Sequence, residues 1–341
     1  MTGGMALMAR TNLGRAVSGH VLAVLFAAGL ATSVPQAASA GAASATAPAR
    51  SAKIATSPTP AAIRPVPTPP PEITQPLPPP RVYLFRGALG PFFSTGMDRL
   101  AEKIEKAGFW ASVYEFTLCD LIALQVAKNY RQEPGPIVLI GHSMGGLCGV
   151  RIAITLQEQN IPVALVVTVD PAHATKSVPP NVQRFINLFL SDNILGGGDV
   201  KPEPGFRGHY ASFDMKDHDE VTHINIDKME DVHAQLVTMI SQLSQTSATA
   251  EVDPVQLRYL VPPKVSVELW DSGTPVPVRP GETLDQIAAN YRVPLWALQQ
   301  SNRGLATTPL VPGQRIILPH HLLPQAANQP APQMPETAVR R

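Results

Sequence analysis

The sequence predicts an α/β protein: a parallel sheet with helices on both faces, followed by a small βααβ module. Three observations lead there. Between residues 81 and 244, short continuous apolar runs such as Ile137-Val138-Leu139-Ile140 alternate with segments of helical period, the pattern of strands buried on both faces. Over residues 274–320 a second and shorter pattern runs strand, helix, helix, strand. The flanks cannot build a core, and the 36 prolines among 341 residues are about double the average usage of roughly 5%.

Residues 1–40 read as a signal peptide. Arg10 and Arg15 precede the apolar run over 21–30, and Ala38-Ser39-Ala40 supplies a small-residue cleavage site. That run is too short to span a bilayer, so no transmembrane span is expected in the mature chain, and export to the periplasm or the cell exterior is. Residues 41–80 form a Pro/Ala-rich linker of polyproline II character. Residues 245–273, Ser/Thr-rich and interrupted by proline, are expected to be a linker between two independent folded parts, and residues 321–341 a disordered tail. A formal net charge of +1 excludes nucleic-acid binders of the strongly basic kind. Two cysteines, Cys119 and Cys148, exclude a disulfide-dense scaffold and a four-thiolate metal site; one bridge or two buried thiols both stay open.

In the larger part, Val82-Tyr83-Leu84-Phe85 forms the first strand, followed by a helix with Met97, Leu100, Ala101 and Ile104 on one face. Residues 111–116 are a second strand and 118–130 a second helix. Runs at 137–140, 164–169 and 185–190 continue the series, and Val232, Leu236, Met239, Ile240 and Leu243 mark a closing helix. In such sheets chemistry gathers beyond the carboxyl ends of the strands.

One loop there is informative. Gly141-His142-Ser143-Met144-Gly145-Gly146 follows the strand at 137–140 and precedes a helix carrying Leu147, Val150, Ala153 and Leu156. A serine in so sharp a strand-to-helix turn has strained backbone angles, which flanking glycines accommodate. The helix N-terminus then directs its N–H groups at a developing oxyanion. A hydroxyl nucleophile needs a neutral imidazole to take its proton, and a carboxylate to hold that imidazole. Of nine histidines, His20 lies in the signal, His142 is the variable position of the turn, His320 and His321 fall in the tail, and His173 precedes the last strand. His209, His218, His223 and His233 remain, His233 inside the closing helix. Two carboxylates end strands at the right edge: Asp170, in Val169-Asp170-Pro171-Ala172, and Asp192, in Leu190-Ser191-Asp192.

Residues 81–244 resemble the α/β-hydrolase family. Phe85-Arg86-Gly87-Ala88-Leu89-Gly90 stands where members often carry a His-Gly oxyanion loop, and Ser143 stands at the nucleophile elbow. The resemblance implies the chain order serine, acid, histidine. It points to Ser143 as nucleophile and to His223, in a loop just before the closing helix, as base. Asp170 is the favoured acid because its segment resembles that of pancreatic-type lipases; Asp192 is the alternative, standing where most other members carry it. The implied oxyanion donors are the backbone N–H groups of Ala88 and Met144. Arg86 replaces the frequent histidine but lies outside the triad. Neither a cofactor nor a metal is expected. About a dozen residues separate Asp170 from the next strand, too few for a helical cap, and an open site suits a bulky, lipidic or polymer-linked ester. Gly196-Gly197-Gly198 lacks the lysine and serine of a phosphate loop and reads as a mobile rim.

In the smaller part, Leu284, Ile287, Ala288 and Tyr291 make a helical stripe, Thr283 can cap that helix, and Pro312-Gly313 turns the chain into a last strand. Residues 274–320 resemble the lysin motif, LysM. The resemblance implies a groove for N-acetylglucosamine-containing glycans such as peptidoglycan, lined by Gly281, Glu282, Thr283, Leu310, Val311 and Gly313. The expectation is an exported, cell-wall-associated serine hydrolase acting on an acyl ester or thioester. A peptidoglycan-directed amidase or deacylase, and a non-catalytic wall-binding protein on a hydrolase scaffold, are the alternatives.

Overall fold

Seven runs with buried, alternating side chains pair into one sheet: β1 (Arg81–Arg86), β2 (Trp110–Glu115), β3 (Ile137–His142), β4 (Leu165–Val169), β5 (Arg184–Phe189), β6 (His209–Asp214) and β7 (Leu257–Leu260). Their spatial order is β2-β1-β3-β4-β5-β6-β7, and every neighbouring pair is parallel. Parallel neighbours need long crossovers; α1 (Gly90–Phe93) and α2 (Thr95–Lys106), α3 (Cys119–Gln132), α4 (Met144–Gln157) and α5 (Glu230–Leu243) lie in those from β1 to β4 and from β6 to β7, and those from β4 to β5 and from β5 to β6 are loops. The computed structural model describes residues 78–243, 254–305 and 310–320. The expected signal peptide, all but the end of the first linker, and the tail from 321 lie outside the described residues. Among the described residues no helix is long and apolar enough to cross a membrane.

The period-2 alternation of each strand divides the core in two. Val82 and Leu84 face one way, into a cluster with Met97, Leu100 and Ile104 of α2 and with Leu236 and Ile240 of α5. Tyr83 and Phe85 face the other, against Ile122 and Val126 of α3 and Val150 and Ala153 of α4. Cys119 and Cys148 are joined in a disulfide with Cα atoms 5.5 Å apart, which ties the start of α3 to α4. Closing a loop of that separation contributes about 3–4 kcal/mol by the chain-entropy argument.

Two of the seven strands were not expected from the sequence. In β6, His209-Tyr210-Ala211-Ser212-Phe213-Asp214, polar residues hide the strand pattern, although four of the six positions are buried. The other corrects the linker expected over 245–273. Within it, β7 pairs with β6 from Ala211↔Leu257 to Asp214↔Leu260, and Val261, Val267, Leu269 and Trp270 are buried. Alternate residues Leu257, Tyr259 and Val261 carry the strand's apolar side, a period too short to stand out beside Pro262-Pro263.

The smaller part is β8 (Ser272–Pro277), α6 (Leu284–Tyr291), α7 (Leu295–Ser301) and β9 (Arg315–His320), with β8 and β9 antiparallel. His320 therefore closes a strand and is no tail residue. Thr283 caps α6 in a reciprocal capping box with Gln286. This part packs directly on β7. The Tyr259 hydroxyl pairs with Ser301 Oγ at 2.8 Å, and Gln300 bonds both the Leu260 N–H and its carbonyl, at 2.9 and 2.7 Å. Trp296 meets Tyr259 and Trp270 edge-on, with centroids 5.6 and 5.7 Å away.

A chain ending at Leu243 therefore loses a sheet strand and the cover over Phe213. Removing the burial of Tyr259 and Trp270 alone should cost about 3 kcal/mol or more. Urea denaturation followed by circular dichroism should show the shortened chain unfolding at much lower denaturant than the full chain. Equal midpoints would mean that β7 and the packed junction contribute nothing.

Candidate active site

The passage from β3 into α4 demands a reversal within one residue, and Ser143 takes it at φ 55°, ψ −122°, where a side chain is strained. Glycine is required on either side for steric reasons. A Cβ on Gly141 would stand 2.1 Å from the Gly145 carbonyl oxygen, and one on Gly145 would stand 2.1 Å from that of Phe85. The loop after β1 lies against the serine, since a Cβ on Gly87 would be 2.7 Å from Ser143 Cβ. Ala88 follows there, exposed, and Met144 is the first residue of α4, where backbone N–H groups have no intrahelical acceptor.

His223 brings Nε2 to 3.0 Å from Ser143 Oγ and Nδ1 to 2.6 Å from Asp170 Oδ2. A proton on Nδ1, donated to the carboxylate, leaves Nε2 as acceptor for the serine hydroxyl. Asp170 ends β4 at φ 40° and is fully buried. It accepts bonds from the N–H of Leu190 at 3.1 Å, the N–H of Gly197 at 2.7 Å and the Asn193 amide at 2.6 Å. Burial alone would raise its pKa; the bonds from His223, Leu190, Gly197 and Asn193 outweigh it and hold the carboxyl below its ordinary value. Asp192 is exposed, and no bond joins it to His223 among the described residues. His218 is buried and bonds Glu220 at 2.9 Å instead.

The glycine run corrects the reading of a mobile rim. Gly197, at φ +83°, aims its N–H at Asp170, and a Cβ on Gly196 would lie 2.4 Å from Asp170 Oδ2. Gly196 and Gly197 pack against Asp170, and the lack of side chains allows the backbone to approach it.

His142 also escaped the sequence reading. It is fully buried, with Nε2 at 2.8 Å from the His223 carbonyl and Nδ1 at 2.8 Å from Ser94 Oγ. A carbonyl only accepts, so Nε2 carries the proton and Nδ1 accepts from the Ser94 hydroxyl, whose oxygen accepts the Gly87 N–H at 3.0 Å. One run of hydrogen bonds thus joins the loop after β1, the elbow and the histidine loop. Burial, reinforced by the neighbouring His223, lowers the His142 pKa to about 4, so the ring is neutral at neutral pH. Its partners are 48 and 81 positions away in sequence, which leaves no local signal. Arg86 fastens the same loop by bonding Asp98 and, at 2.7 Å, Glu115; the Asp98 bond is the main reason its pKa is raised.

In the smaller part, the Val278 N–H bonds the Gln314 carbonyl and its own carbonyl accepts the Gly313 N–H, both at 2.8 Å. This sets residues 281–283 beside residues 310–313. Gly281 and Gly313 have φ of +79° and +82°, and Gly281, Thr283, Val311 and Gly313 are exposed. Glu282 bonds the Arg279 N–H at 2.7 Å, the Thr283 hydroxyl is engaged in the helix cap, and Leu310 packs partly on the core.

Residues 277–319 match the family model described as LysM domain. This segment is a LysM domain. No curated protein matches the chain. Among solved structures, an alpha/beta-superfamily protein of Xanthomonas campestris pv. campestris is 18% identical, with a TM-score of 0.25 over 34% of this chain and 73% of its own. RedJ, the thioesterase of the prodiginine biosynthetic pathway of Streptomyces coelicolor, is 19% identical, with a TM-score of 0.20 over 30% of this chain and 48% of its own. A second RedJ structure, with polyethylene glycol in its active site, gives 19% and 0.20 over 29% and 48%. The chain thus matches about half the length of RedJ. The fold ahead of the LysM domain is described by its own strand order, a seven-stranded parallel sheet of α/β type.

Asp227, four residues beyond His223, gives this region a pH dependence. It is buried, Oδ2 accepts the Gly96 N–H at 2.9 Å, and Oδ1 has no hydrogen-bond partner among the described residues. Burial pushes its pKa up to about 6. A folded pKa above the unfolded one means that the contribution of this carboxyl is fully present below its ordinary value of 3.8 and lost as pH rises through about 6. Asp227→Asn should therefore raise the melting temperature more at pH 8 than at pH 4.5. A gain that is the same at both pH values would assign the effect to something other than this ionisation.

Proposed function

We propose that this chain is an exported serine hydrolase that cleaves an acyl ester or thioester while its LysM domain holds it on cell-wall glycan. The continuous hydrogen-bonded line Ser143–His223–Asp170 carries the reading. Ser143 Oγ attacks the acyl carbonyl as its proton passes to His223 Nε2, and Asp170 stabilises the imidazolium that results. The Ala88 and Met144 N–H groups receive the oxyanion. His223 then returns the proton to the leaving alcohol or thiol, and water, activated by the same ring, releases the acid.

The surroundings support an apolar acyl group. Leu89, Phe92 and Phe93 follow the oxyanion loop, Ile194 and Leu195 belong to the loop that grips Asp170, and Ile224 follows His223. All are exposed, Phe92 to 76% and Ile194 to 89%. An acyl chain lying across them would remove this apolar surface from water. The signal-like start of the sequence and the Cys119–Cys148 disulfide support an oxidising compartment outside the cytosol. The LysM domain supports peptidoglycan, or another N-acetylglucosamine-containing glycan, as the partner, bound along Gly281, Glu282, Thr283, Leu310, Val311 and Gly313.

Fluorophosphonate labelling and p-nitrophenyl esters of rising chain length test the catalytic half. Ser143→Ala should abolish both labelling and turnover. Asp170→Asn should slow turnover by about three to four orders of magnitude through the wrong imidazole tautomer, while Asp192→Asn should change it less than about twofold. Undiminished labelling of Ser143→Ala would remove the assignment, and release of peptidoglycan amides without ester turnover would transfer it to an amidase.

Sedimentation with insoluble peptidoglycan tests the other half. Val311→Asp should leave most of the protein in the supernatant, and sedimentation equal to the wild type would exclude this groove.

A further inference from the structure

A third group of chemically capable side chains lies outside both sites. His209 opens β6, Asp271 immediately precedes β8, and His320 closes β9, so three distant stretches of sequence meet where the sheet joins the LysM domain. We propose that His209, Asp271 and His320 bind a zinc ion that staples the LysM domain to the catalytic sheet. This site goes beyond the proposed hydrolase activity and does not depend on it.

The geometry is that of convergence on one carboxylate. Asp271 is fully buried, with Oδ1 at 2.8 Å from His320 Nδ1 and Oδ2 at 3.5 Å from His209 Nδ1. The candidate donor atoms all lie within 4.8 Å of one another. A tetrahedral zinc site holds its donors about 3.3 Å apart, given bond lengths of about 2.0–2.2 Å. Small ring rotations would close that difference, and both side chains are partly exposed, at 29% and 37%, so the rotations need not displace the core. Ser272 Oγ, at 2.8 Å from His209 Nδ1, is the bond that such a rotation would exchange.

Two imidazole nitrogens and one carboxylate oxygen suit zinc; calcium and magnesium would want an oxygen cage. Water from the exposed side can fill the fourth position. Arg184 Nε, at 3.3 Å from Asp271 Oδ2, orients the carboxylate from behind, the kind of outer support that metal-bound carboxylates carry. Its positive charge opposes the cation, so the site should be weaker than one built from anionic ligands alone. Without metal, the same side chains satisfy one another by hydrogen bonds, and the two arrangements differ in whether a cation or N–H protons face the carboxylate.

The test uses the full chain, stripped with a chelator and dialysed against zinc. One zinc per chain by metal analysis is expected, with a melting temperature that rises with free zinc and, on substitution with cobalt(II), the visible absorption of a tetrahedral site. The double variant His209→Gln and His320→Gln should lose all three. Absence of saturable binding in the wild type, or an unchanged stoichiometry in the double variant, would overturn the site. Should that variant fail to fold, wild-type protein decides: zinc should protect His209 and His320, and not His173, from diethyl pyrocarbonate, and equal modification with and without zinc would overturn it.

Discussion

A carboxylate without water sets the terms for the rest of the site. Asp170 sits at the end of β4 with no exposed surface, and an ionised group there is tolerable only if its oxygens are fully engaged. Four donors do this, from Leu190, Asn193, Gly197 and His223. Each places a demand on the chain. Gly197 must adopt a left-handed backbone, Gly196 can carry no Cβ, the residues after β5 must wrap back over β4, and the loop after β6 must deliver an imidazole. The histidine's tautomer, and so the basicity of its other nitrogen toward Ser143, follows from satisfying this one buried charge.

His142 shows the same logic on the opposite side. Its two ring nitrogens join segments that no strand pairing connects, the Ser94–Gly87 side and the His223 carbonyl, while its burial keeps it neutral. The distances between Ser143, His223 and the loop after β1 are therefore held from both flanks, and in the proposed function these are the nucleophile, the base and an oxyanion donor, set before substrate arrives. Preorganised dipoles of this kind need no rearrangement when charge develops, which is where electrostatic catalysis gains most.

What could be read in the sequence was what is local in the sequence. The strand at Ile137–His142 and the elbow after it lie within ten residues, so hydrophobic run, glycines and serine declare one another. Asp170 and Asp192 could not be told apart as candidate acids because both end strands at the same edge, and what distinguishes their surroundings, the bond from Asp170 to His223, spans 53 positions of sequence. Gly196-Gly197-Gly198 was misread because glycine signals either freedom or close approach, and the object approached, Asp170, lies more than twenty residues earlier. The strand β6 and the role of His142 were hidden for a related reason. Their polar atoms are satisfied by partners far along the chain, so composition alone makes them resemble surface.

The packed junction follows from size. A βααβ module of some fifty residues buries too little surface to be robust alone, and here its core runs on into that of the sheet through Trp296, Trp270, Tyr259 and Phe213. Gln300, bonded to both backbone groups of Leu260, closes the edge that β7 would otherwise expose. The LysM domain thus serves as the terminal cover of the sheet as well as the unit proposed to bind glycan. A module built in this way cannot swing freely about a linker. In the proposed function, a glycan strand gripped by this module would hold the sheet in a fixed orientation to it, and with it the exposed apolar residues of the loops that border Ser143. The substrates within reach of the proposed triad would then be those that the wall geometry presents to that face, a selection imposed by packing at β7 and not by the chemistry of Ser143, His223 and Asp170.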